Sequence, residues 1–391
     1  MTSTIAKIYI DNLRHNLNLI RSKINKNAKM CVAVKADAYG HGAVECAKVA
    51  LECGAEYLAI ARVCEGVELR NAGITAKLLM LSLANPQEME ELVRTEITPL
   101  VFDSEYAELV AEAAKKAGKA EYAVHLAVDT GMGRIGCLPE EAGAVAKKIT
   151  GLGLKFEGIC THFAAADSEN PSDREYTEFQ FKRFMEAVEN VKKAGIDPGI
   201  RHCANSALTL DKPEYHLDMC RPGIIVYGYY PDTLDREYFA RKGENIELKP
   251  VMALCTKVVA VRKFTEGRSI SYGRTWTCGG ETDIGVLPIG YADGLFRRFA
   301  RAGGNSEDLK VAINGTEYPV RGRICMDQCM VDLGKDSAVE RFTEAVIFGP
   351  EESGALQTAQ KIADQTGTIS YEVTCGVGKR VPRVFLTSLT R

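Results

Sequence analysis

The sequence predicts an α/β fold in two parts: an N-terminal (β/α)8 TIM-like barrel over residues 1–235, then a smaller, mainly β C-terminal domain over residues 236–391. Three observations carry this. Up to Pro231, short apolar runs alternate with amphipathic segments of helical length, the pattern of parallel strands joined by crossover helices. Beyond Pro231 the pattern turns to apolar runs separated by turn signals. A chain of 391 residues also exceeds what a single core usually serves.

The elements follow in order. Leu13, Leu17, Ile20 and Ile24 recur at helical spacing and predict an opening helix. Strand candidates follow at residues 31–34, 57–61, 77–81, 98–102, 122–128, 156–160, 200–203 and 224–227. Between them lie helical stretches such as 43–52, stopped by Gly54, and 105–117, stopped by Gly118. Eight such strands close most simply into a barrel; an open doubly wound sheet is the alternative. Residues 231–247 are polar and charged without clear periodicity. Strand candidates then return at 251–261, 284–289, 310–313, 317–320 and 329–333, with a helix near 355–365. Asn314-Gly315 between two of these runs signals a hairpin.

Composition narrows the function. A net charge of −3 argues against a nucleic-acid footprint. Thirteen cysteines, an odd count without any C-x-x-C pair, fit reduced thiols in a cytoplasm. The opening ten residues lack a basic-then-apolar signal pattern, and no apolar run reaches membrane-spanning length. The expectation is a soluble cytoplasmic protein that binds neither nucleic acid nor membrane.

The strongest local signal is Val34-Lys35-Ala36-Asp37-Ala38-Tyr39-Gly40-His41-Gly42. An apolar strand delivers Lys35 to its end, where water is scarce. A desolvated lysine has a lowered pKa and attacks carbonyls to give Schiff bases. Tyr39 stands four residues on, within reach of an anionic group. An aldehyde anchor beside a phosphate ligand is what a pyridoxal phosphate enzyme needs. The competing reading of the lysine alone is a solvated strand end. In a barrel, chemistry gathers at the C-terminal ends of strands. There the sequence places Asp129-Thr130-Gly131-Met132-Gly133-Arg134, Thr161-His162-Phe163, Cys203-Ala204-Asn205-Ser206 and Arg221-Pro222-Gly223-Ile224. Ser206 offers a hydroxyl, and Gly223 and Ile224 offer backbone N–H groups, where barrels commonly hold phosphate.

Several motifs have rival readings. Residues 131–136 match G-x-G-x-x-G, but a lone match is weak, and Arg134 inside it reads better as a partner for an oxygen anion. His162 has no second ligand at metal-binding spacing, and no metal is expected. Cys325 and Cys329 read as ordinary thiols. The second domain adds Ile270-Ser271-Tyr272-Gly273, Ile289-Gly290-Tyr291-Ala292-Asp293-Gly294 and Cys325-Met326-Asp327-Gln328.

In this order, across essentially the whole chain, the motifs resemble alanine racemases, two-domain pyridoxal phosphate enzymes of barrel type. The resemblance implies that Lys35 anchors the cofactor and serves as one base. Tyr272 would be the second base, reaching in from the partner of a homodimer. Tyr39, Ser206, Gly223 and Ile224 would hold phosphate, with Asn205 beside them. Arg221 would meet the pyridine nitrogen, and His162 would link Arg221 toward Tyr272. Arg134 would meet the cofactor phenolate oxygen and the substrate carboxylate, which the Met326 N–H would also meet, with Asp327 nearby. Tyr291 would line the approach to the site. The cationic Arg221–His162 neighbourhood would favour the Tyr272 phenolate. The implied role is D-alanine supply for peptidoglycan.

Two positions depart from the family pattern. Ala127 stands where many members carry a carboxylated lysine that buttresses the arginine, so a bound anion such as chloride or another side chain would orient Arg134. Lys379 precedes Arg380-Val381-Pro382, where some members place a phosphate-contacting tyrosine. A lysine there could still contact phosphate, or admit serine as a substrate. The remaining alternatives are a decarboxylase of the same architecture, which Arg221 speaks against, and a non-catalytic cofactor-binding protein, which resembles the barrel alone.

Overall fold

A computed structural model describes residues 3–300 and 309–388. Eight parallel strands form one sheet in the neighbour order Met219–Cys220, Lys29–Ala33, Tyr57–Ile60, Lys77–Met80, Ile97–Val101, Ala123–Ala127, Lys155–Cys160 and Ile200–His202. The two end strands carry no ladder, but the Asp218 N–H donates to Arg201 O at 3.0 Å and the Arg221 N–H to Ala204 O at 2.8 Å. These bonds bring the sheet close to a closed barrel. The barrel reading holds, and the open doubly wound alternative does not.

Seven strands lie on their predicted runs, with ends shifted by a residue or two. The eighth is a correction. Residues 224–227 form a 3-10 helix, Ile224–Tyr227, and the strand is Met219–Cys220. The apolar run 224–227 is buried throughout, so periodicity could not separate helix from strand there. The correction moves Arg221 from the start of a strand to the C-terminal end of one, which is the chemical end of a barrel.

The second sheet is nine-stranded. Its order is Ala260–Phe264, Thr282–Leu287, Cys329–Gly334, Thr316–Arg321, Lys310–Ile313, Glu344–Phe348, Met252–Lys257, Ile5–Tyr9 and Arg383–Leu386. The predicted run 251–261 is two strands, and Glu344–Phe348 and Arg383–Leu386 were not expected. Ile5–Tyr9 pairs antiparallel with Met252–Lys257 and parallel with Arg383–Leu386, so the chain starts in this sheet before entering the barrel. Asn314 and Gly315 have φ of +50° and +75°, the left-handed pair that a two-residue hairpin requires. The late helix is Ala359–Thr366. Among the described residues, no helix is long and apolar enough to cross a membrane.

Candidate active site

Two adjoining cavities open at the C-terminal ends of the barrel strands and share Lys35, His162, Arg221, Met132 and Leu81. The first, about 280 Å³, adds Arg134, Ala127 and Thr161. The second, about 400 Å³, adds Tyr39, Asn205, Ser206, Gly223, Ile224 and Tyr371. The combined space is in the range of small-molecule sites.

Lys35 ends the first barrel strand, and an unusual turn sets its direction. Ala36, Asp37, Ala38 and Tyr39 all have φ between +52° and +55°, one turn of left-handed helix made without glycine. Such a run is costly for L-residues and must be held from outside. The Glu65 carboxylate accepts from the Ala36 N–H at 2.7 Å, the Ala61 N–H at 2.7 Å and the Arg62 N–H at 3.0 Å. Asp37 accepts from the Ala43 N–H at 2.8 Å. Arg383, from the last strand of the β domain, donates to Gly40 O at 2.9 Å. A Cβ on Gly40 would lie 2.2 Å from Thr374 O, so the turn and the β domain approach here as only glycine allows. Burial lowers the Lys35 pKa, and the cations Arg134 and Arg221 lower it further while Glu65 opposes them.

The far end of the second cavity gathers hydroxyls. Ser206 Oγ accepts from the Gly223 N–H at 2.9 Å. A Cβ on Gly223 would lie 2.7 Å from Tyr39 Oη, so this glycine leaves the room in which backbone and phenol converge. Tyr39 is buried, and burial pushes its pKa up, so it stays a neutral donor. Its ring packs 5.8 Å from that of Tyr371 and 5.0 Å from that of Tyr227. Asn205 caps the helix Ser206–Asp211 by accepting from the Leu208 N–H at 3.2 Å. A cluster of neutral hydroxyls and backbone donors around an open cradle suits a phosphate group.

Arg221 is buried and held on several sides. It donates to His202 Nδ1 at 2.8 Å, to Thr161 O at 2.8 Å and to Cys203 O at 3.3 Å, and lies 3.4 Å from His162 Nδ1. Burial, with Arg221, Arg134 and Lys35 nearby, drives the His162 pKa down to about 3. His162 is therefore held toward the neutral form, and the positive charge of this neighbourhood is Arg221's. Arg134 is exposed and makes no hydrogen bond or ion pair among the described residues. Ala127, in the same wall, offers it none.

The remaining sequence candidates stand apart. Tyr272, Tyr291, Met326, Asp327 and Lys379 line neither cavity. Tyr272 is 69% exposed, Met326 52% and Tyr291 38%. Their loops are laced to one another: the Tyr291 N–H donates to Cys325 O at 3.1 Å, the Ala292 N–H to Met326 O at 3.0 Å, and Ser271 Oγ to Arg323 O at 2.5 Å. Arg380 joins Asp293 and Asp327, each at 2.7 Å. Lys379 is exposed, while Tyr371, which the sequence reading passed over, lies in the cavity wall beside Tyr39. Glu65, Arg383 and His202 were also missed, because they act through backbone and other side chains rather than through a motif.

Known proteins agree with this architecture. Residues 8–231 match the family description "Alanine racemase, N-terminal domain" and residues 251–385 match "Alanine racemase, C-terminal domain". An alanine racemase of Treponema denticola is 46% identical over 99% of both chains. One from Desulforamulus reducens is 44% identical over 97% of this chain and 98% of its own. The solved alanine racemase of Clostridium difficile superposes with a TM-score of 0.89 at 39% identity, covering 99% of this chain and 97% of that one. The Bacillus anthracis alanine racemase with bound L-Ala-P gives 0.89 at 32% identity, covering 99% and 96%. With both domain descriptions matched in order and full-length relatives well above a third identical, this chain belongs to the alanine racemase family.

Proposed function

We propose that the protein interconverts L- and D-alanine with pyridoxal 5′-phosphate, using two bases on opposite faces of the substrate α-carbon. The observation that carries this reading is Lys35 and Arg221 in the wall of one cavity, with Tyr39, Ser206 and Gly223 gathered at its far end. When bound, the cofactor supplies the electron-accepting system that makes the α-proton removable. Lys35 anchors it, its amine kept toward the neutral form by burial. Tyr39, Ser206, Gly223 and Ile224 hold its phosphate beside Asn205 and Tyr371. Arg221 would meet the pyridine nitrogen as a donor only, since a guanidinium does not give up its proton. An arginine there would leave that nitrogen without a proton and so favour racemisation over side reactions. Arg134, without a protein partner, is free for the substrate carboxylate.

On the near face, the Lys35 amine takes or returns the α-proton. On the far face, Tyr272 of a second copy does so, taking the proton as phenolate and returning it as phenol. The exposure of Tyr272, Tyr291 and Met326 supports this reading, since three large apolar side chains in water are best explained by a surface that covers them. In the homodimer, the barrel of one copy, with Tyr371 of the same chain, would hold the cofactor, while the second domain of the other copy brings Tyr272, Tyr291, the Met326 N–H and Asp327 over it. The setting is the cytoplasm, and the product serves peptidoglycan.

The test uses purified protein with pyridoxal 5′-phosphate in D2O, given L-alanine and, separately, L-serine. The expected result is conversion of L-alanine to the D-form with deuterium at the α-carbon, and faster than any conversion of serine. Absence of exchange with alanine overturns the reading. Exchange without inversion leaves one base working and overturns the role of Tyr272 or of the dimer, which light scattering then separates.

A further inference from the structure

A line of polar side chains crosses the barrel interior, where aliphatic residues normally fill the layers. At the catalytic end, Arg221 Nη1 meets His202 Nδ1 at 2.8 Å. His202 Nε2 meets His125 Nδ1 at 2.7 Å. His125 Nε2 meets Glu157 Oε2 at 3.3 Å. Glu157 Oε1 accepts from Lys77 Nζ at 2.5 Å, and Lys77 also donates to Tyr57 Oη at 3.1 Å. Both histidines are fully buried, whereas the Lys77 side chain is 54% exposed at the start of its strand, on the opposite face of the barrel. A Cβ on Gly158 would lie 2.8 Å from the His125 ring, so that glycine makes room for the line.

The two ends fix its polarity. A guanidinium only donates, so His202 Nδ1 must be a lone pair. His202 then carries its proton on Nε2 and donates to His125. His125 Nδ1 is therefore the acceptor, its proton is on Nε2, and that proton goes to Glu157, which as a carboxylate only accepts. Each bond points the same way, and both imidazoles are neutral. Protonating either one would set two donors face to face.

We propose that Glu157, on the face of the barrel remote from the cavity, is a positioning residue for Arg221: through His125 and His202 it fixes the one tautomer that lets His202 hold the guanidinium. Lys77 keeps Glu157 ionised and in place. The effect of this line on turnover rests on the function proposed above, whereas its polarity does not. Burial raises the Glu157 pKa, but hydrogen bonds from His125 and Lys77 outweigh it and hold the carboxyl at about 2. Burial lowers the pKa of both His125 and His202, consistent with neutral rings.

The test labels the histidines of the full-length protein with 15N and reads their tautomers by long-range proton correlation, first without cofactor and then with pyridoxal 5′-phosphate. The expected result is the Nε2–H form at both His125 and His202 in either state. Glu157→Gln keeps one acceptor oxygen; the half-exposed Lys77 can turn to water and leave that oxygen to His125, so the variant should retain those tautomers and most of the turnover. Glu157→Met removes the acceptor. It should mix the tautomers of His125 and His202 and lower kcat roughly tenfold or more, the scale typical of lost orienting partners, with KM for alanine changed much less. An Nδ1–H form at His202 in the parent protein overturns the proposal, as does a folded Glu157→Met variant with parent tautomers and parent kcat. If that variant does not fold, the parent spectrum and Glu157→Gln decide. A protein that shows both Nε2–H forms but never racemises alanine overturns the proposed function and leaves the line of bonds standing.

Discussion

Replacing Glu65 by glutamine should loosen the turn that aims Lys35, by an amount that can be worked from its bonds. Four consecutive L-residues in left-handed geometry, Ala36 to Tyr39, store roughly 4–8 kcal/mol of strain. Glu65 ties the first of them, through Ala36, to the segment Ala61–Arg62 by accepting three backbone N–H bonds. A glutamine has one acceptor oxygen. Serving Ala61 and Arg62 with it turns the amide nitrogen toward the Ala36 N–H, donor against donor. A bond to a charged acceptor contributes about 1.5–3 kcal/mol when buried, and partial exposure reduces this to about 1–2 kcal/mol here. The urea midpoint should fall accordingly with an unchanged m-value. A second readout is specific to the site. Glu65 holds the Lys35 pKa up against burial and the two arginines, so its neutralisation should move the amine's titration lower still. The pH dependence of adduct formation between cofactor-free protein and pyridoxal reports that titration. An unchanged midpoint, or a Lys35 titration that moves upward, would refute the reasoning.

Further outcomes follow from the same geometry. His162, His125 and His202 are kept neutral by burial, whereas the unfolded chain protonates its histidines near about pH 6.5. Below that pH the unfolded state binds more protons, so urea midpoints should decline as pH falls from about 7 toward about 5, and more steeply than carboxylates alone predict. Gly158→Ala puts a Cβ 2.5 Å from Ile200 O and 2.8 Å from His125, and should cost about 1–3 kcal/mol in thermal or urea unfolding. Ser206→Ala leaves the Gly223 N–H without its acceptor; equilibrium dialysis should show weaker pyridoxal phosphate binding, with a stability loss near about 1 kcal/mol. Tyr272→Phe, at a side chain exposed in the single chain, should leave stability and cofactor binding intact. It should abolish proton abstraction in one direction, read as one-sided deuterium exchange.

How much of this was legible in the sequence depends on what kind of signal each residue leaves. Strand runs such as 310–313 were read to the residue because alternation and an Asn-Gly turn bracket them. The eighth barrel strand was misread because Met219–Cys220 is only two residues long and the longer apolar run beside it is buried for a different reason. Lys35, Tyr39, Ser206 and Arg221 sit in contiguous motifs at strand ends, and the cavity walls contain all four. The motif order points to Lys379, before Arg380, whereas Tyr371 lies in the wall, since a helix and a turn between them carry the chain out of the site. The residues that brace the site were invisible. His125, Glu157 and His202 come from three separate strands, and only the barrel's closure brings them into line.

The two halves of the candidate site are braced in different ways, and this bears on how they would meet. The barrel half is held by bonds of its own chain: Glu65 and Arg383 clamp the Lys35 turn and His202 holds Arg221. The other half is held by loops bonded mainly to one another, with Gly290 allowing the Tyr291 loop to press against Cys325 O and Met326 O, where a Cβ would lie 2.3 Å from each. Arg380 bridges Asp293 and Asp327, so these two carboxylates share one cation within the same chain. None of these bonds draws on a second copy of the chain. Association of two copies would then join faces that are already ordered, and the cost of fixing loops and side chains at the interface would be small. On this argument the dimer should form without cofactor or substrate. Its affinity should depend on the apolar area of Tyr272, Tyr291 and Met326, with a salt-dependent part from Arg274 and Arg323, which lie beside Tyr272 and make no ion pair among the described residues.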